Sequence, residues 1–277
     1  MNAKNDTVAV AVVGAAGRMG QRVLACAAGE SRVWLVAAVD APQCPRLDED
    51  AGCVAGIAPL GLHISADLAA ACATTRVVID FALAAGCAAR VKTYARHGCA
   101  IVLGSTGVDA AGVRAVKEAA RRVAVLHAPN FSIGVNVLFH LVTQAARALG
   151  PDYDLEVIEM HHRRKQDAPS GTAVRLVELL EAARGLTPAA RRHGRVGAVG
   201  ARGRDEIGVH ALRGGDVVGD HTVLFAGDGE RVELTHKAGT RDTFAHGAVR
   251  AALFLAEAAP GLYTMNDVLG LTMEEKA

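Results

Sequence analysis

What most constrains the fold of this chain is the recurrence of short, mainly apolar runs through its first 130 residues: Val8–Val13, Val33–Val39, Val77–Phe81, Ala100–Leu103 and Val123–Leu126. A strand with one face in water alternates apolar and polar residues. A strand with almost no polar position must be buried on both faces, as in a parallel sheet covered by helices. Helical patterns fall between the runs, at Met19–Ala28, Ala85–His97 and Ala110–Arg121. This alternation predicts an α/β domain over residues 1–131 with a doubly wound parallel sheet.

The pattern changes after Asn130. A helix over Val135–Leu149 stops at Gly150-Pro151, and a strand over Tyr153–Met160 leads through a basic run to a helix over Thr172–Arg184. A Gly/Arg-rich stretch near Gly185–Arg204 is expected to be irregular and mobile. Three further strands, Glu206–Leu212, Val217–Phe225 and Arg231–Thr235, predict a second α+β domain over 132–240. Its sheet is expected to be mainly antiparallel, with a face left for helices or another subunit to cover. A last helix, Phe244–Ala258, is expected to return to the first domain, so that 241–277 completes it.

Composition removes several functions. With 30 Lys+Arg against 29 Asp+Glu and 4% aromatic residues, the chain has neither the field nor the stacking surface expected of a nucleic-acid binder. No apolar stretch is long enough to span a bilayer. The cysteines, Cys26, Cys44, Cys53, Cys72, Cys87 and Cys99, form no C-x-x-C pair, so buried free thiols in a reducing, cytoplasmic setting are expected, with no metal site.

The segment VAVVGAAGRMG places Gly14, Gly17 and Gly20 between the first strand and first helix. Glycines there permit the tight turn, the approach of backbone N–H groups to a pyrophosphate, and close helix–sheet packing. The spacing G-x-x-G-x-x-G is weak alone and is strengthened by its strand–turn–helix setting. The second strand ends in Asp40, a carboxylate suited to the adenosine ribose hydroxyls of NAD. A βα turn with a solvated Asp40 is the bland alternative, and the combination favours a Rossmann-type dinucleotide site. The strand ends LGSTG (Leu103–Gly107) and HAPNFS (His127–Ser132) lie where open α/β sheets bind ligands.

In the second domain the run His161, His162, Arg163, Arg164 and Lys165 is followed by Ser170-Gly171-Thr172 at a helix start. On extended backbone, His161, Arg163 and Lys165 share one side. A basic run is most often a solvated loop. Beside the free N–H groups of a helix start it becomes a trap for a small carboxylate-bearing substrate.

EMHHRRKQDAPSGTA (Glu159–Ala173) closely resembles the signature of dihydrodipicolinate reductase, also called 4-hydroxy-tetrahydrodipicolinate reductase. The resemblance extends over nearly the whole chain, through VGAAGRMG, GSTG, APNFSIGVNV, GDVVGDHTVLFAGDGERVELTHKA and TFAHGAVRAALFL. It implies a cytoplasmic, usually tetrameric enzyme of the diaminopimelate/lysine pathway. Such an enzyme uses NADH or NADPH to reduce a small cyclic imine dicarboxylate to tetrahydrodipicolinate. By matching positions, the resemblance makes His161 the proton donor and Lys165 a second essential acid or base. It gives His162, Gly171 and Thr172 the substrate carboxylate. The cofactor would be lined by Gly14, Ala15, Ala16, Gly17, Arg18, Met19 and Asp40, by Gly104, Ser105 and Thr106, and by Ala128, Pro129, Asn130 and Phe131.

Three positions depart from the family's pattern. Arg164 stands where a histidine is frequent, Ala82 replaces a threonine after Asp80-Phe81, and Ala41 rather than arginine follows Asp40. The last change favours NADH use at least at parity with NADPH. An aspartate or homoserine dehydrogenase would share the first domain but not HHR-x-K with PSGT. A non-catalytic NAD(H) sensor would need no clustered proton donors.

Overall fold

The computed structural model describes residues 7–271. Its chain divides into two compact units, one comprising the stretch up to Ile133 together with the stretch from Arg241, the other Gly134–Thr240.

In the first unit β1 (Val8–Val13) runs into α1 (Arg18–Ala28) and β2 (Val33–Val39). Next come α2 (Ala51–Ala55), β3 (Ile64–Ser65), α3 (Leu68–Ala73), β4 (Val77–Asp80), α4 (Cys87–Arg96), β5 (Ala100–Leu103), α5 (Ala110–Ala119) and β6 (Ala124–His127). The second unit holds α6 (Ile133–Leu149, entered from the first unit), β7 (Asp154–His161), α7 (Gly171–Arg184), β8 (Arg191–His193), β9 (Ile207–Arg213), β10 (Gly219–Gly227) and β11 (Glu230–Ala238). The chain then supplies α8 (Asp242–Glu257), β12 (Gly261–Tyr263) and α9 (Met265–Leu269) to the first unit.

The first sheet has seven strands in the order β12-β6-β5-β4-β1-β2-β3, every ladder parallel. β1, β4, β5 and β6 are buried on both faces, as their composition demands, whereas β2, paired on its outer side only by the two-residue β3, departs from that expectation: most of it is half-buried and Trp34 is 58% exposed. Val10, Val12 and Ile79 pack toward α1 and α8, while Ala11, Val13 and Val78 pack toward α4 and α5. Chain order reverses between the neighbours β1 and β4, which opens a crevice at their carboxyl ends.

The second sheet has five strands in the order β11-β10-β7-β9-β8. It is mixed: β11–β10–β7 is antiparallel, and β7–β9–β8 is parallel. On one face Leu155, Val157, Val223 and Phe225 pack with Leu138 and Val142 of α6 and with Leu176 and Leu180 of α7. In this unit Ile158 and Leu212 are exposed large apolar side chains, 37% and 45% exposed in the chain.

Three local expectations need correction. The stretch expected to be irregular contains the short strand β8, and several of its arginines are ion-paired. Within it Arg202 bonds Asp154 and Glu156, Arg195 bonds Glu156 and Glu206, and Arg191 bonds Glu181. The basic run is not extended past His161, because Lys165 N–H donates to His162 O and closes a turn, so the alternation of His161, Arg163 and Lys165 does not apply. All six cysteines are free, but only Cys72, Cys87 and Cys99 are buried, and Cys53 is exposed. The short elements α2, β3, α3, β8, β12 and α9 carry too few residues for a periodic pattern to reveal them.

Candidate active site

The glycine turn of the first unit is built almost wholly from backbone. Gly14 has φ +78°, and a Cβ on it would meet Ala82 N at 2.8 Å. A Cβ on Gly20 would lie 2.0 Å from Gly14 O, so this glycine is what lets α1 start against β1. Ala15 is buried, Met19 partly so, and Gly17 and Arg18 are exposed. Helix α1 has no capping side chain and no acid in its first turn. The N–H groups at its start are thus left for an external acceptor, and the helix dipole favours an anion there.

Asp40, at the end of β2, accepts from Ala16 N and Ala41 N, both at 2.8 Å. Each oxygen takes one N–H, leaving further acceptor capacity on both for hydroxyl groups. A turn of glycines and small residues, a free helix start and a fixed carboxylate fit the pyrophosphate and ribose of a dinucleotide.

The ends of β5 and β6 reach the same edge of the sheet. Gly104 lies under the Phe81 ring, and Ser105 is buried with its hydroxyl donating to Ala82 O at 2.7 Å. Thr106 and Pro129 are exposed, and Ala128 is buried. Asn130 Oδ1 accepts from Ser132 N at 2.8 Å. Phe131 is a core residue, its ring edge-on to Phe81 with centroids 5.6 Å apart. Asp80 is fully buried and bonded by Arg90, Tyr94 and Ala82 N. It holds the β4–α4 loop in place, with Ala82 serving through its N–H rather than a hydroxyl.

The second unit assembles a side-chain cluster. His161 is the last residue of β7, 8% exposed, and its Nδ1 lies 2.5 Å from Oε2 of Glu159, which is 1% exposed. The two residues are two apart on a strand and so share a face. Arg213, opposite His161 on β9, grips both Glu159 oxygens at 2.8 and 2.9 Å. Ser170 N–H donates to Glu159 Oε1 at 3.0 Å.

His221, opposite Glu159 on β10, stacks edge-on to His161 with centroids 5.1 Å apart, and its Nε2 lies 3.0 Å from Ser170 Oγ. That same oxygen caps α7 by accepting from Ala173 N. A Cβ on Gly219 would lie 2.9 Å from His161 Nε2, so the glycine makes room for the imidazole.

Burial alone would raise the Glu159 carboxyl, but Arg213, His161 and Ser170 N–H together hold it below the usual carboxylate value. Burial, then the neighbouring His161, lowers His221 to about 4. The cluster therefore pairs a fixed anion with a neutral imidazole around His161.

Lys165 leaves the turn with its Nζ 2.8 and 2.9 Å from the two oxygens of Asp167, and that bond lowers the Asp167 carboxyl. His162 Nδ1 is buried without a partner among the described residues. Gly171 opens α7 with no atom near its missing Cβ, and Thr172 follows on the first turn. Among the described residues, no cluster of His, Cys, Asp and Glu is placed to hold a metal, and no helix is long and apolar enough to cross a membrane.

Sequence reasoning missed Glu159, Ser170, Arg213, Gly219 and His221 as members of this cluster. The two-residue strand period could have linked Glu159 to His161. Nothing local linked His161 to residues 52 to 60 positions away.

The comparisons agree over nearly the whole chain. Family profiles described as dihydrodipicolinate reductase, N-terminus and C-terminus, match residues 8–131 and 134–269. A 4-hydroxy-tetrahydrodipicolinate reductase of Anaeromyxobacter sp. (strain Fw109-5) is 51% identical over 265 residues, covering 95% of this chain and 98% of that one. One from Syntrophotalea carbinolica is 46% identical over 266 residues, covering 95% and 99%. Among solved structures, a dipicolinate-bound dihydrodipicolinate reductase from Paenisporosarcina sp. TG-14 superposes with a TM-score of 0.75 at 25% identity, over 93% of this chain and 97% of that one. Matched by both profiles and by near full-length relatives, the chain belongs to the dihydrodipicolinate reductase family and has its reductase function in diaminopimelate and lysine biosynthesis.

Proposed function

We propose that His161 is the proton donor in the reduction of the cyclic imine dicarboxylate to tetrahydrodipicolinate, and that the enzyme uses NADH at least as well as NADPH. The observation that carries this reading is the environment of His161. Its Nδ1 is engaged by Glu159, so Nε2 is the nitrogen left to meet a substrate. Loss of water from the 4-hydroxy compound gives a conjugated ring, to which the nicotinamide, when bound, supplies the hydride. His161 then delivers a proton to the negative charge that hydride addition creates.

Lys165, His162 and the N–H groups of Gly171 and Thr172 hold the two substrate carboxylates. A charge-assisted bond to Lys165 replaces its bond to Asp167. The glycine turn Gly14–Met19 and Asp40 hold the dinucleotide, with the segments Gly104–Thr106 and Ala128–Phe131 beside it. Asp40 favours ribose hydroxyls and repels a 2′-phosphate. Ala41 brings no compensating cation, and Arg18 on the turn is the nearby one that could. The enzyme acts in the cytoplasm as a homotetramer, the sheet face carrying Ile158 and Leu212 lying against another copy.

Mixing freshly made substrate with each reduced cofactor tests the reading. One cofactor oxidised per substrate consumed is expected, with kcat/KM for NADH at least equal to that for NADPH. A strong NADPH preference would overturn the cofactor assignment.

A further inference from the structure

We propose that Glu159 is the positioning residue of the reaction: clamped by Arg213 and Ser170, it holds His161 with Nδ1 protonated and Nε2 directed to the substrate. This rests on the reading of His161 as proton donor. A histidine that donates from Nε2 has two ways to fail. Its neutral form can carry the proton on the wrong nitrogen, or its ring can turn away.

Both failures are blocked here. Glu159 Oε2 at 2.5 Å from Nδ1 accepts a proton held there, and the carboxylate has no freedom to leave. Arg213 takes both of its oxygens in a bidentate fork, and the Ser170 N–H takes one of them. On the other side, Gly219 admits the ring edge, and His221 packs edge-on against it.

The proton balance follows from this arrangement. Hydride addition places an electron pair on the ring of the substrate. The Nε2–H bond of the His161 imidazolium breaks, its electrons return to the imidazole, and the proton bonds to the substrate. Neutral His161 is left with its proton on Nδ1, shared with Glu159, and water restores the Nε2 proton. Glu159 stays ionised throughout, because Arg213 and Ser170 N–H oppose its protonation.

The charged and titratable groups around His161 are Glu159 on its own strand, Arg213 from β9, His221 from β10 and, in the following loop, Lys165 paired with Asp167. His236 on β11 adds a further imidazole near His221. Glu159 is the anion in contact with the His161 ring, and so the group to remove in a test.

The test compares Glu159→Gln, His161→Gln and the double variant in the full-length enzyme, with kcat and KM measured across pH. Glu159→Gln is expected to lower kcat at neutral pH by roughly 10- to 10³-fold with KM little changed. The limb where kcat falls with rising pH should move to lower pH once the carboxylate against Nδ1 is gone, so that acid restores part of the rate. The double variant should be no slower than His161→Gln, since both changes remove one function. A purely structural role would cost stability without moving that limb.

If His161→Gln keeps wild-type kcat, the proton-donor reading falls and this inference with it. If His161→Gln is slow while Glu159→Gln has wild-type kcat and an unmoved limb, only this inference falls. Should Glu159→Gln fail to fold, nitrogen-15 NMR of the wild-type histidines decides: a neutral His161 with its proton on Nδ1 supports the proposal, and one on Nε2 overturns it.

Discussion

In the first unit, the groups proposed to meet the cofactor come mainly from the backbone. They are the N–H groups at the start of α1 and a turn of glycines and small residues, with the single carboxylate of Asp40 fixed by two backbone N–H groups. In the second unit they come from side chains, with Glu159, His161, Arg213 and His221 drawn from three strands and Ser170 from a helix cap. A backbone cradle recognises charge and shape that many dinucleotides share. A cluster of charged and titratable side chains can choose a protonation state. The two units should therefore fail differently, the first by losing binding and the second by losing rate.

The largest expected effect is His161→Gln. It removes the titratable proton and keeps polar bulk, so kcat should fall by roughly 10²–10⁴ with modest change in KM. NADH binding, measured by fluorescence titration, should stay within about twofold of wild type, because less than ~1 kcal/mol of binding energy is then involved. A variant that lost NADH affinity as sharply as kcat would break the division between the two regions.

The next effect concerns acid stability. His221 is neutral in the fold, with a value near 4 against an ordinary value near 6.5. As pH falls from about 6.5 to about 4, the unfolded chain takes up a proton that folded His221 refuses, so stability falls with pH across this window. The total is roughly 3 kcal/mol for this one group. His221→Asn should flatten the curve of unfolding free energy against pH between these limits. It should not abolish the slope, since burial lowers His236 in the same direction. Parallel curves for variant and wild type would show that His221 titrates normally in the folded protein.

Gly20→Ala should come third, acting on the backbone cradle. Its new Cβ would stand 2.0 Å from Gly14 O. Forcing α1 away from β1 at an overpacking cost of roughly 1–3 kcal/mol should lower the melting temperature. If the turn holds the cofactor as proposed and bears that cost, NADH binding weakens by roughly 5- to 150-fold. Gly171→Ala is the control, with no atom near the added carbon and the α7 N–H groups kept. Equal losses from the two glycines would remove the steric argument.

The same contrast explains what the sequence revealed. The parallel sheet was legible because Val10–Val13 and Val77–Ile79 have no polar face, and the cradle because Gly14, Gly17 and Gly20 lie within seven residues between a strand and a helix. In the second unit the local pattern singled out the whole run His161–Lys165 and the α7 start, and it was the family resemblance that picked His161 and Lys165 out of the run. It could not identify Arg213 or His221, whose roles depend on the register of β9 and β10 against β7. Register follows from tertiary packing. The turn at Arg163–Arg164 escaped because a run of basic residues has no hydrophobic period, and its shape is set by His162 O accepting from Lys165 N.

The smallest expected effect, from Arg164→Ala, sharpens the comparison within the second unit itself. Arg164 sits in the same basic run as His161 and Lys165, but on the exposed turn after β7, where the family's frequent histidine is absent. If positive charge in the run were what mattered, removing any of its cations would weaken substrate binding by a similar factor. The structure separates them: Lys165 is only 19% exposed in its side chain and held by Asp167, whereas Arg164 is fully on the surface side of the turn. Surface charges act through screened water and contribute little. Arg164→Ala should therefore leave the melting temperature within about two degrees of wild type. It should also leave kcat and KM within about twofold, less than ~0.5 kcal/mol in transition-state free energy. Lys165→Ala should damage both kinetic constants. Equal rise of KM in the two variants would mean that the run attracts the dicarboxylate by its summed charge rather than by one placed ammonium.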